Sequence, residues 1–484
     1  MARIESSAVS ADWASLGTHL GVEFLRQDAI SEFYKRTNTV LIEVTLQNFK
    51  SFREEATVSL RAGSTTKLKG NLLKIADGSR YLKSAALYGK NASGKTTILD
   101  ALYALKSFVA FSSEDQKPTA AIPRFESFAL SRETKVRPAR VAITIYAGGY
   151  EYSYDVSASA ERVWQESLSR TPVEKTSRRK RESASRIIER KWCDNKKSYD
   201  TFISSEIGPS STIDAGASQT PPNRLILGKL AALNSDIATQ VLEWFEEHLD
   251  FYDMHRNSSA EDAVLQRAAK LYKNNKKFSS LLTRFLADAD TGIESLSSTM
   301  GKQFSPVFVA DEQRFEVKEL SMPELTFHHT TEDGSETAFR KNSESSGTLR
   351  FVAMLAAIVQ PSERPRTVCV DELSASLHPD LVAALVKIVH SRATNPAGSQ
   401  LLFTTHDTHL MDPGSLLRRD QIVLCEKNPV GESTAFRLDD FQDDARSDAN
   451  LQKQYMQNRF GGKPQFGPSL EDIPGDDLPL EVAR

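Results

Sequence analysis

The chain has 484 residues, a formal net charge of −3, 39% hydrophobic residues and 26% charged residues. This composition is that of an ordinary globular protein with room for two or three domains, and it offers no overall attraction to nucleic acid or to an acidic membrane. Its three cysteines are widely spaced and follow no metal-ligand pattern, which favours a reducing compartment. No apolar run approaches the roughly 18 residues of a membrane-spanning helix, and no signal peptide is recognisable. We therefore expect a cytoplasmic protein without membrane association.

The first predicted elements lead into a phosphate motif. Residues 1–38 show a weak helical pattern and no motif, so we expect an accessory N-terminal extension. Alternating apolar residues predict strands at 41–46 and 56–60. A third strand, 85–88, runs into a glycine-rich loop, and the apolar residues of 97–111 then fall on one helical face. Strand, loop and helix follow in the order that a phosphate-binding site requires.

The middle of the chain is less regular. Two antiparallel strands, 141–146 and 150–156, are predicted around the pair Gly148-Gly149. Three helices are then predicted at 235–251, 260–275 and 277–289. Alternation of helices and strands returns with a helix at 347–359, a strand at 367–370, a helix at 379–391 and strands at 401–404 and 421–425.

These elements predict an α/β head that is interrupted by a largely helical insertion. The two lobes of the head are expected at 39–158 and 321–466. The insertion, 159–320, lacks the heptads of a long coiled coil and is expected to be a compact helical unit that meets a partner or another copy. The tail, 467–484, is rich in proline and acidic residues and is expected to be disordered.

Residues 89–96 match the phosphate-loop pattern G-x-x-x-x-G-K-[ST]. The glycines let the loop wrap so that backbone N–H groups and a helix N-terminus point at phosphates. Lys95 would bridge the β- and γ-phosphates, and Thr96 would hold Mg²⁺ through its hydroxyl. The alternative is a chance match, which the apolar strand before the loop and the amphipathic helix after it disfavour. The predicted nucleotide contacts are Gly89, Lys90, Asn91, Ala92, Ser93, Gly94, Lys95, Thr96 and Thr97.

Acidic and imidazole side chains follow two of the later strands. Asp371 can accept from magnesium-bound water, and the adjacent Glu372 can orient or deprotonate the attacking water. His406 can hydrogen-bond the γ-phosphate or that water. Taken alone, the carboxylates could be solvated loop residues and the histidine structural. The phosphate loop in the same chain favours a metal role for Asp371 and catalytic roles for Glu372, His406 and Lys95.

Residues 344–350 begin an apolar helix with small hydroxyl residues and a glycine. Such a helix start can bind an anion, although simple N-capping is the alternative. We interpret Ser345, Ser346 and Gly347 as further nucleotide contacts. We call 344–350 the signature segment.

Taken in order, these motifs resemble the ABC-type ATPase heads. Residues 89–96 look like Walker A, 344–350 like a degenerate signature motif, 371–372 like the end of Walker B, 374–379 like a D-loop and His406 like the switch histidine. The sequences of these motifs are similar to those of bacterial ATP-binding proteins that serve as ATPase subunits in abortive-infection and anti-phage systems. Overcoming-lysogenization-defect and chromosome-maintenance ATPases look like more distant relatives.

The resemblance implies an ATPase that uses ATP and Mg²⁺. In such heads the signature serine and glycine contact the γ-phosphate bound by the opposite subunit, so at least a head-to-tail dimer is implied. No convincing Q-loop glutamine follows the phosphate-loop helix: Gln116 is early, and residues 125–128 stand where one is expected. This departure implies slow turnover.

Several roles remain open at this point. One is a non-enzymatic, ATP-gated binding module with negligible turnover, whereas a transporter's nucleotide-binding subunit is disfavoured by the unusual signature, the long insertion and the missing Q-loop. The resemblance favours a sensor or scaffold subunit of a bacterial defence system that controls a separate effector such as a nuclease, since no nuclease pattern is recognised after His406. The alternative is a DNA-repair or chromosome-associated ATPase that acts directly on DNA. The basic stretch 178–181, with Arg186, Arg190, Lys191, Lys196 and Lys197 after it, could contact phosphates or be a solvated hairpin.

Overall fold

The computed structural model describes residues 39–75, 77–113, 119–173, 183–252, 258–289, 292–309, 314–359, 364–411, 416–441 and 450–463. The predicted N-terminal extension, the basic stretch 178–181, Gln116 and the tail 467–484 lie outside these residues. No helix in the described ranges is both long enough and apolar enough to span a membrane.

A seven-stranded antiparallel sheet forms one layer of the molecule. In spatial order its strands are β10 (Ser198–Ile203), β9 (Ser185–Cys193), β8 (Val163–Pro172), β7 (Tyr150–Ala158), β6 (Ala139–Ala147), β1 (Val40–Gln47) and β2 (Ala56–Ser59). Gly148 and Gly149 turn the chain between β6 and β7 with positive φ angles of 56° and 90°, which suits glycine in a tight hairpin. From Ile42 to Gln47, strand β1 alternates buried and half-buried residues, as expected for a sheet with one buried face.

A six-stranded sheet forms the second layer and carries the site. Its spatial order is β11 (Leu249–Tyr252), β15 (Thr367–Val370), β16 (Gln400–Thr404), β5 (Ser84–Tyr88), β17 (Ile422–Lys427) and β18 (Ser433–Arg437). All neighbours are parallel except β17 and β18. Strands β5, β15 and β16 are buried along their whole length. This burial on both faces explains why their apolar residues form a continuous run and do not alternate with polar ones.

The remaining strands form two small sheets. Strands β3 (Leu72–Lys74) and β4 (Arg80–Leu82) form a hairpin. Strands β12 (Ser295–Val309), β13 (Arg314–Thr330) and β14 (Glu336–Arg340) form a three-stranded antiparallel sheet.

Ten α-helices occur in the described ranges. They are α1 (Lys95–Ser113), α2 (Arg132–Lys135), α3 (Ser210–Gln219), α4 (Ile226–Ala232), α5 (Asp236–Glu247), α6 (Ser258–Asn274), α7 (Lys276–Asp288), α8 (Ser346–Ile358), α9 (Pro379–His390) and α10 (Leu451–Met456). Helices α5 to α9 lie close to their predicted positions.

The two faces of the six-stranded sheet belong to different hydrophobic cores. Ala85 and Leu87 face the core that contains α1 and the seven-stranded sheet. Ala86 and Tyr88, the alternate residues of the same strand, face the core that contains α8 and α9. Because successive side chains of a strand point to opposite faces, α1 and α8 lie on opposite sides of this sheet.

The α/β head fold is confirmed, and the insertion needs one correction. Within 159–320, helices occupy only the central part, from α3 to α7. At its start, β8, β9 and β10 continue the antiparallel sheet from β7, and at its end β12 and β13 form a long hairpin. The expected boundary at residue 158 therefore falls between two paired strands of one sheet, and the segment is not mainly helical.

Candidate functional site

The phosphate loop, residues 89–96, follows β5 and opens α1. Gly89 has φ +149° and Gly94 has φ +108°, backbone conformations that residues with a Cβ rarely adopt. A Cβ on Gly89 would lie 2.3 Å from the carbonyl oxygen of Cys425. A Cβ on Gly94 would lie 2.7 Å from Ser433 Oγ. Both glycines are therefore required by the close approach of β17 and β18.

The Lys95 side chain lies inside this loop and is only 6% exposed. Its Nζ donates to the carbonyl oxygens of Gly89, at 2.8 Å, and of Lys90, at 3.0 Å. Burial lowers the pKa of Lys95, and the carboxylates of Asp371 and Glu372 oppose this shift. Ser93 Oγ is buried and has no hydrogen-bond partner among the described residues. A buried hydroxyl with unused capacity beside a lysine fits a phosphate ligand.

Thr96 and Asp371 meet although they are far apart in the sequence. Thr96 Oγ1 lies 3.1 Å from both carboxylate oxygens of Asp371, which follows β15. Thr404, the last residue of β16, donates from Oγ1 to Asp371 Oδ1 at 2.7 Å. Hydroxyl and carboxylate oxygens are ligands that Mg²⁺ binds together with substrate phosphates and water. Thr96 and Asp371 therefore fit the predicted metal role, and Thr404 orients the carboxylate.

Glu372 is held through its backbone from two directions. Its N–H donates to Thr404 Oγ1 at 2.7 Å, and its carbonyl oxygen accepts from Arg350 Nη2 at 2.6 Å. Glu372 has a positive φ of 50°, which is uncommon for a residue with a long side chain. Arg350 is 5% exposed and belongs to α8. The helix of the signature segment thus contacts the residue assigned as catalytic base.

His406 follows β16 at the same edge of the sheet and is exposed at the surface. Partial desolvation and then the charge of Lys95 lower the pKa of His406, while Glu372 and Asp371 act to raise it. The imidazole is therefore neutral at neutral pH. Its neighbours are fixed: Asp407 N–H donates to Thr405 Oγ1, and Thr405 Oγ1 donates to Ser374 Oγ, both at 3.0 Å.

The signature segment lies on the other face of the sheet. Ser345 caps α8, since its Oγ accepts from Thr348 N–H at 3.0 Å, as the capping interpretation predicted. Ser345 and Ser346 are exposed, and a Cβ on Gly347 would lie 2.8 Å from the Ser376 carbonyl oxygen. Among the described residues, no hydrogen bond joins Ser345, Ser346 or Gly347 to the phosphate loop. Their contact with a nucleotide stays a prediction.

Several contacts of the phosphate loop were not predicted. Ser51 Oγ lies 2.8 Å from Ser433 Oγ and 3.4 Å from Thr97 Oγ1. Residues 450–463, which we call the C-terminal segment, also reach the loop. A Cβ on Gly462 would lie 3.8 Å from Gly89 Cα. No role was predicted for this segment, for Thr404 or for Arg350, although Arg350 lies within the signature segment.

The basic residues after position 185 are mostly engaged within the chain. Arg190 is 2% exposed and donates to the carbonyl oxygens of Thr220, Pro221 and Arg224. It is therefore a structural residue and not a phosphate contact. Arg186 pairs with Glu189 at 2.6 Å, and Lys196 pairs with Asp200 at 2.7 Å.

The chain is similar to a solved structure and to a protein-family model. The SMC head domain from Thermotoga maritima is similar, with 14% sequence identity and a TM-score of 0.35 over 82% of this chain and 98% of that chain. No curated protein matches the sequence. A protein-family model described as "AAA domain, putative AbiEii toxin, Type IV TA system" matches residues 84–412, a range that runs from β5 past His406. Since this range is more than half of the sequence, the chain belongs to that AAA domain family.

Proposed function

We propose that the protein binds and hydrolyses ATP at the carboxyl edge of the six-stranded sheet. The observation that carries this proposal is the meeting of three motifs there. The phosphate loop holds Lys95, the end of β15 supplies Asp371 and Glu372, and Thr404 joins the two carboxylate residues by hydrogen bonds. His406 stands at the end of the intervening strand.

Each side chain has a role in this hydrolysis. Backbone N–H groups of the loop and Lys95 bind the phosphates. Thr96 and Asp371 would hold Mg²⁺, which would supply positive charge beside the γ-phosphate. Glu372 accepts a proton from the attacking water, and the neutral imidazole of His406 hydrogen-bonds the γ-phosphate or that water.

Measuring phosphate release by matched variants tests the hydrolysis. We expect Glu372→Gln to lower kcat by about 10²- to 10⁴-fold while ATP still binds, because general-base catalysis is lost. Glu332→Gln, at an exposed acidic position of the turn between β13 and β14, is the control and should keep the wild-type rate. Unchanged turnover in Glu372→Gln would refute the assignment of the base.

We further propose that a second copy completes the site in a head-to-tail dimer. Two features support this: α8 lies on the sheet face opposite α1, and Ser346 is exposed at the start of α8. Light scattering of Glu372→Gln with and without ATP and Mg²⁺ tests it. ATP should convert monomer to dimer, and a mass that does not respond to ATP would contradict this arrangement.

For the biological role, we propose a sensor or scaffold subunit of a bacterial anti-phage system that controls a separate effector. The toxin and the toxin–antitoxin system named in the family description support a partnered role of this kind. Purifying tagged Glu372→Gln with the products of its neighbouring genes tests this role, and a second protein should co-elute. DNA-stimulated hydrolysis that weakens steeply with salt would instead favour an ATPase that acts directly on DNA.

A further inference from the structure

The loop that carries His406 is joined to the start of the phosphate loop through a buried tyrosine. Tyr88 is the last residue of β5, directly precedes Gly89 and is only 1% exposed. Its hydroxyl donates to the carbonyl oxygen of Asp407, the residue after His406, at 2.9 Å. A buried side chain thus connects the beginning of the phosphate loop to the backbone beside the imidazole.

This hydroxyl acts where the pairing of β5 with β16 stops. The two strands are parallel neighbours, and just past them the Thr405 N–H donates to the Leu87 carbonyl oxygen at 3.2 Å. The chain then turns into the phosphate loop after β5 and into the His406 loop after β16. In the ranges that the structure describes, no further backbone hydrogen bond joins these two loops. The Tyr88 hydroxyl therefore extends a connection that the backbone no longer makes.

The direction of the His406 imidazole depends on the backbone that carries it. No hydrogen bond holds the ring itself among the described residues. Its two neighbours are held instead, since Thr405 is bonded to Leu87 and Asp407 to Tyr88. A catalytic group must lie within about 0.5 Å of its productive position. A shift of the Asp407 backbone would therefore displace the imidazole from the γ-phosphate.

The C-terminal segment contacts both ends of this connection. The buried Tyr455 ring packs edge-on against Tyr88, with ring centroids 6.1 Å apart. From the same helix, α10, Gln452 Nε2 donates at 3.0 Å to Oγ1 of Thr408, which lies two residues after His406. One short helix therefore supports the tyrosine and the loop that the tyrosine holds.

We propose that Tyr88 is a positioning residue for ATP hydrolysis. Its hydroxyl fixes the backbone beside His406 relative to the phosphate loop, so that the imidazole meets the γ-phosphate or the attacking water. Gln452 supports the same loop from the C-terminal segment. Both side chains act through His406 and not on the nucleotide. This assignment rests on the proposed hydrolysis and adds the residues that hold His406 in place.

Tyr88→Phe removes the hydroxyl and keeps the ring that packs against Tyr455. Phosphate release by the full chain at saturating ATP should show a kcat lowered about tenfold, because a misplaced catalytic group slows the chemical step. The calorimetric affinity for ATP should stay within about twofold of the wild type, since the contacts of Lys95 are untouched. Tyr199→Phe is the matched control. It loses a hydroxyl that donates to the Val163 carbonyl oxygen at 2.7 Å in the seven-stranded sheet, and it should keep the wild-type kcat.

The His406→Ala background separates positioning from a general loss of stability. If Tyr88 acts through the imidazole, Tyr88→Phe lowers kcat in the wild type and causes no further loss in His406→Ala. An equal fold-loss in both backgrounds, or an unchanged kcat in Tyr88→Phe, would overturn the proposal. Wild-type kcat in His406→Ala would remove the role of His406, and the positioning role with it. Whether the site hydrolyses ATP at all is measured separately with Glu372→Gln.

A second variant keeps the test valid if Tyr88→Phe does not fold. Gln452→Ala removes the hydrogen bond to Thr408 and should lower kcat about threefold at unchanged ATP affinity. This loss should also disappear in His406→Ala. Gln457→Ala, at an exposed amide of the same segment, is its control and should hydrolyse ATP at the wild-type rate. A loss in Gln452→Ala that persists in His406→Ala would contradict the proposal.

Discussion

The two edges of the six-stranded sheet are both polar, but their polar groups are satisfied in different ways. At the amino edge, the buried Gln400 amide accepts from Leu41 N–H and donates to the carbonyl oxygens of Leu41 and Leu82. The buried His390 Nε2 lies 2.9 Å from Ser84 Oγ at the same edge. These side chains find their partners inside the fold, and Gln400 ties the two sheets together.

The carboxyl edge is organised differently. Lys95 bonds only to backbone oxygens of its own loop, and Ser93 Oγ and Asp407 Oδ2 are buried without hydrogen-bond partners in the described part of the chain. Arg366 Nε at the amino edge also lacks a hydrogen-bond partner in the described residues, so the difference lies in the setting: at the carboxyl edge the unused capacity lies in and beside the phosphate loop. The four predictions below test this distinction, from the largest expected effect to the smallest.

Lys95→Ala should weaken ATP binding by about 100-fold, because a buried charge that pairs with phosphate is removed. Its melting temperature should stay close to that of the wild type, since the loop carbonyls that Lys95 now contacts can bind water. Calorimetry and thermal unfolding measure the two quantities. A loss of affinity below threefold would show that the carboxyl edge is not the phosphate site.

Ser346→Arg should lower ATP hydrolysis by about 30-fold, because a bulky charge would block the interface with a second copy. Stability and ATP binding to the monomer should not change, since Ser346 is exposed and lies on the face opposite α1. Turnover measured over a range of protein concentrations checks this expectation. Wild-type turnover in the variant would show that the signature segment is not part of the site.

His390 should make the folded state sensitive to acid. Burial and then the charge of Lys83 lower the pKa of His390 from 6.5 to about 3. As the pH falls below 6.5, the unfolded chain therefore gains a proton that the folded chain does not. The free energy of unfolding should decrease by about 1.4 kcal/mol per pH unit down to about pH 3.

Urea unfolding between pH 7 and pH 5 measures this slope. His390→Gln should remove its contribution, even if the variant is less stable overall. His378→Gln is the control, because that side chain is 70% exposed and should leave the slope unchanged. An equal slope in His390→Gln and the wild type would contradict the structural role of the amino edge.

Ser345→Ala should have the smallest effect. It removes the N-cap of α8 and should lower the free energy of unfolding by about 1 kcal/mol. Hydrolysis should change much less than in Ser346→Arg. Denaturant unfolding and phosphate release on the same preparations separate the two adjacent serines, and a large loss of hydrolysis with unchanged stability would assign Ser345 to the nucleotide instead.

The sequence predicted the head fold well where burial follows a regular period. Strand β15 and helix α1 were readable because both are dominated by apolar residues in simple patterns. Strands β8 and β9 could not be predicted in this way, because they carry charged residues at buried positions. Glu166 is fully buried and accepts from Ile226 and Leu227 N–H groups, and the buried Arg190 donates to backbone carbonyl groups. The partners of these charges lie far along the chain, so sequence periodicity could not reveal them.

For the site, motif spacing identified the candidate residues that the fold brings together but not those that position them. The phosphate loop, Asp371, Glu372 and His406 were all named from the sequence, and the fold brings them to one edge. Thr404 and Arg350 act through contacts with residues 33 and 22 positions away, respectively. Such contacts arise only from strand order and helix packing, which local patterns do not encode.

The wall around the phosphate loop has a consequence for protein synthesis. Gly89 lies against Cys425 and close to Gly462, and Gly94 lies against Ser433. These supporting residues leave the ribosome hundreds of positions after the loop itself. At roughly 5–20 residues per second, the delay is on the order of tens of seconds. A nascent chain therefore exposes its phosphate loop long before the residues that enclose the loop have been synthesised.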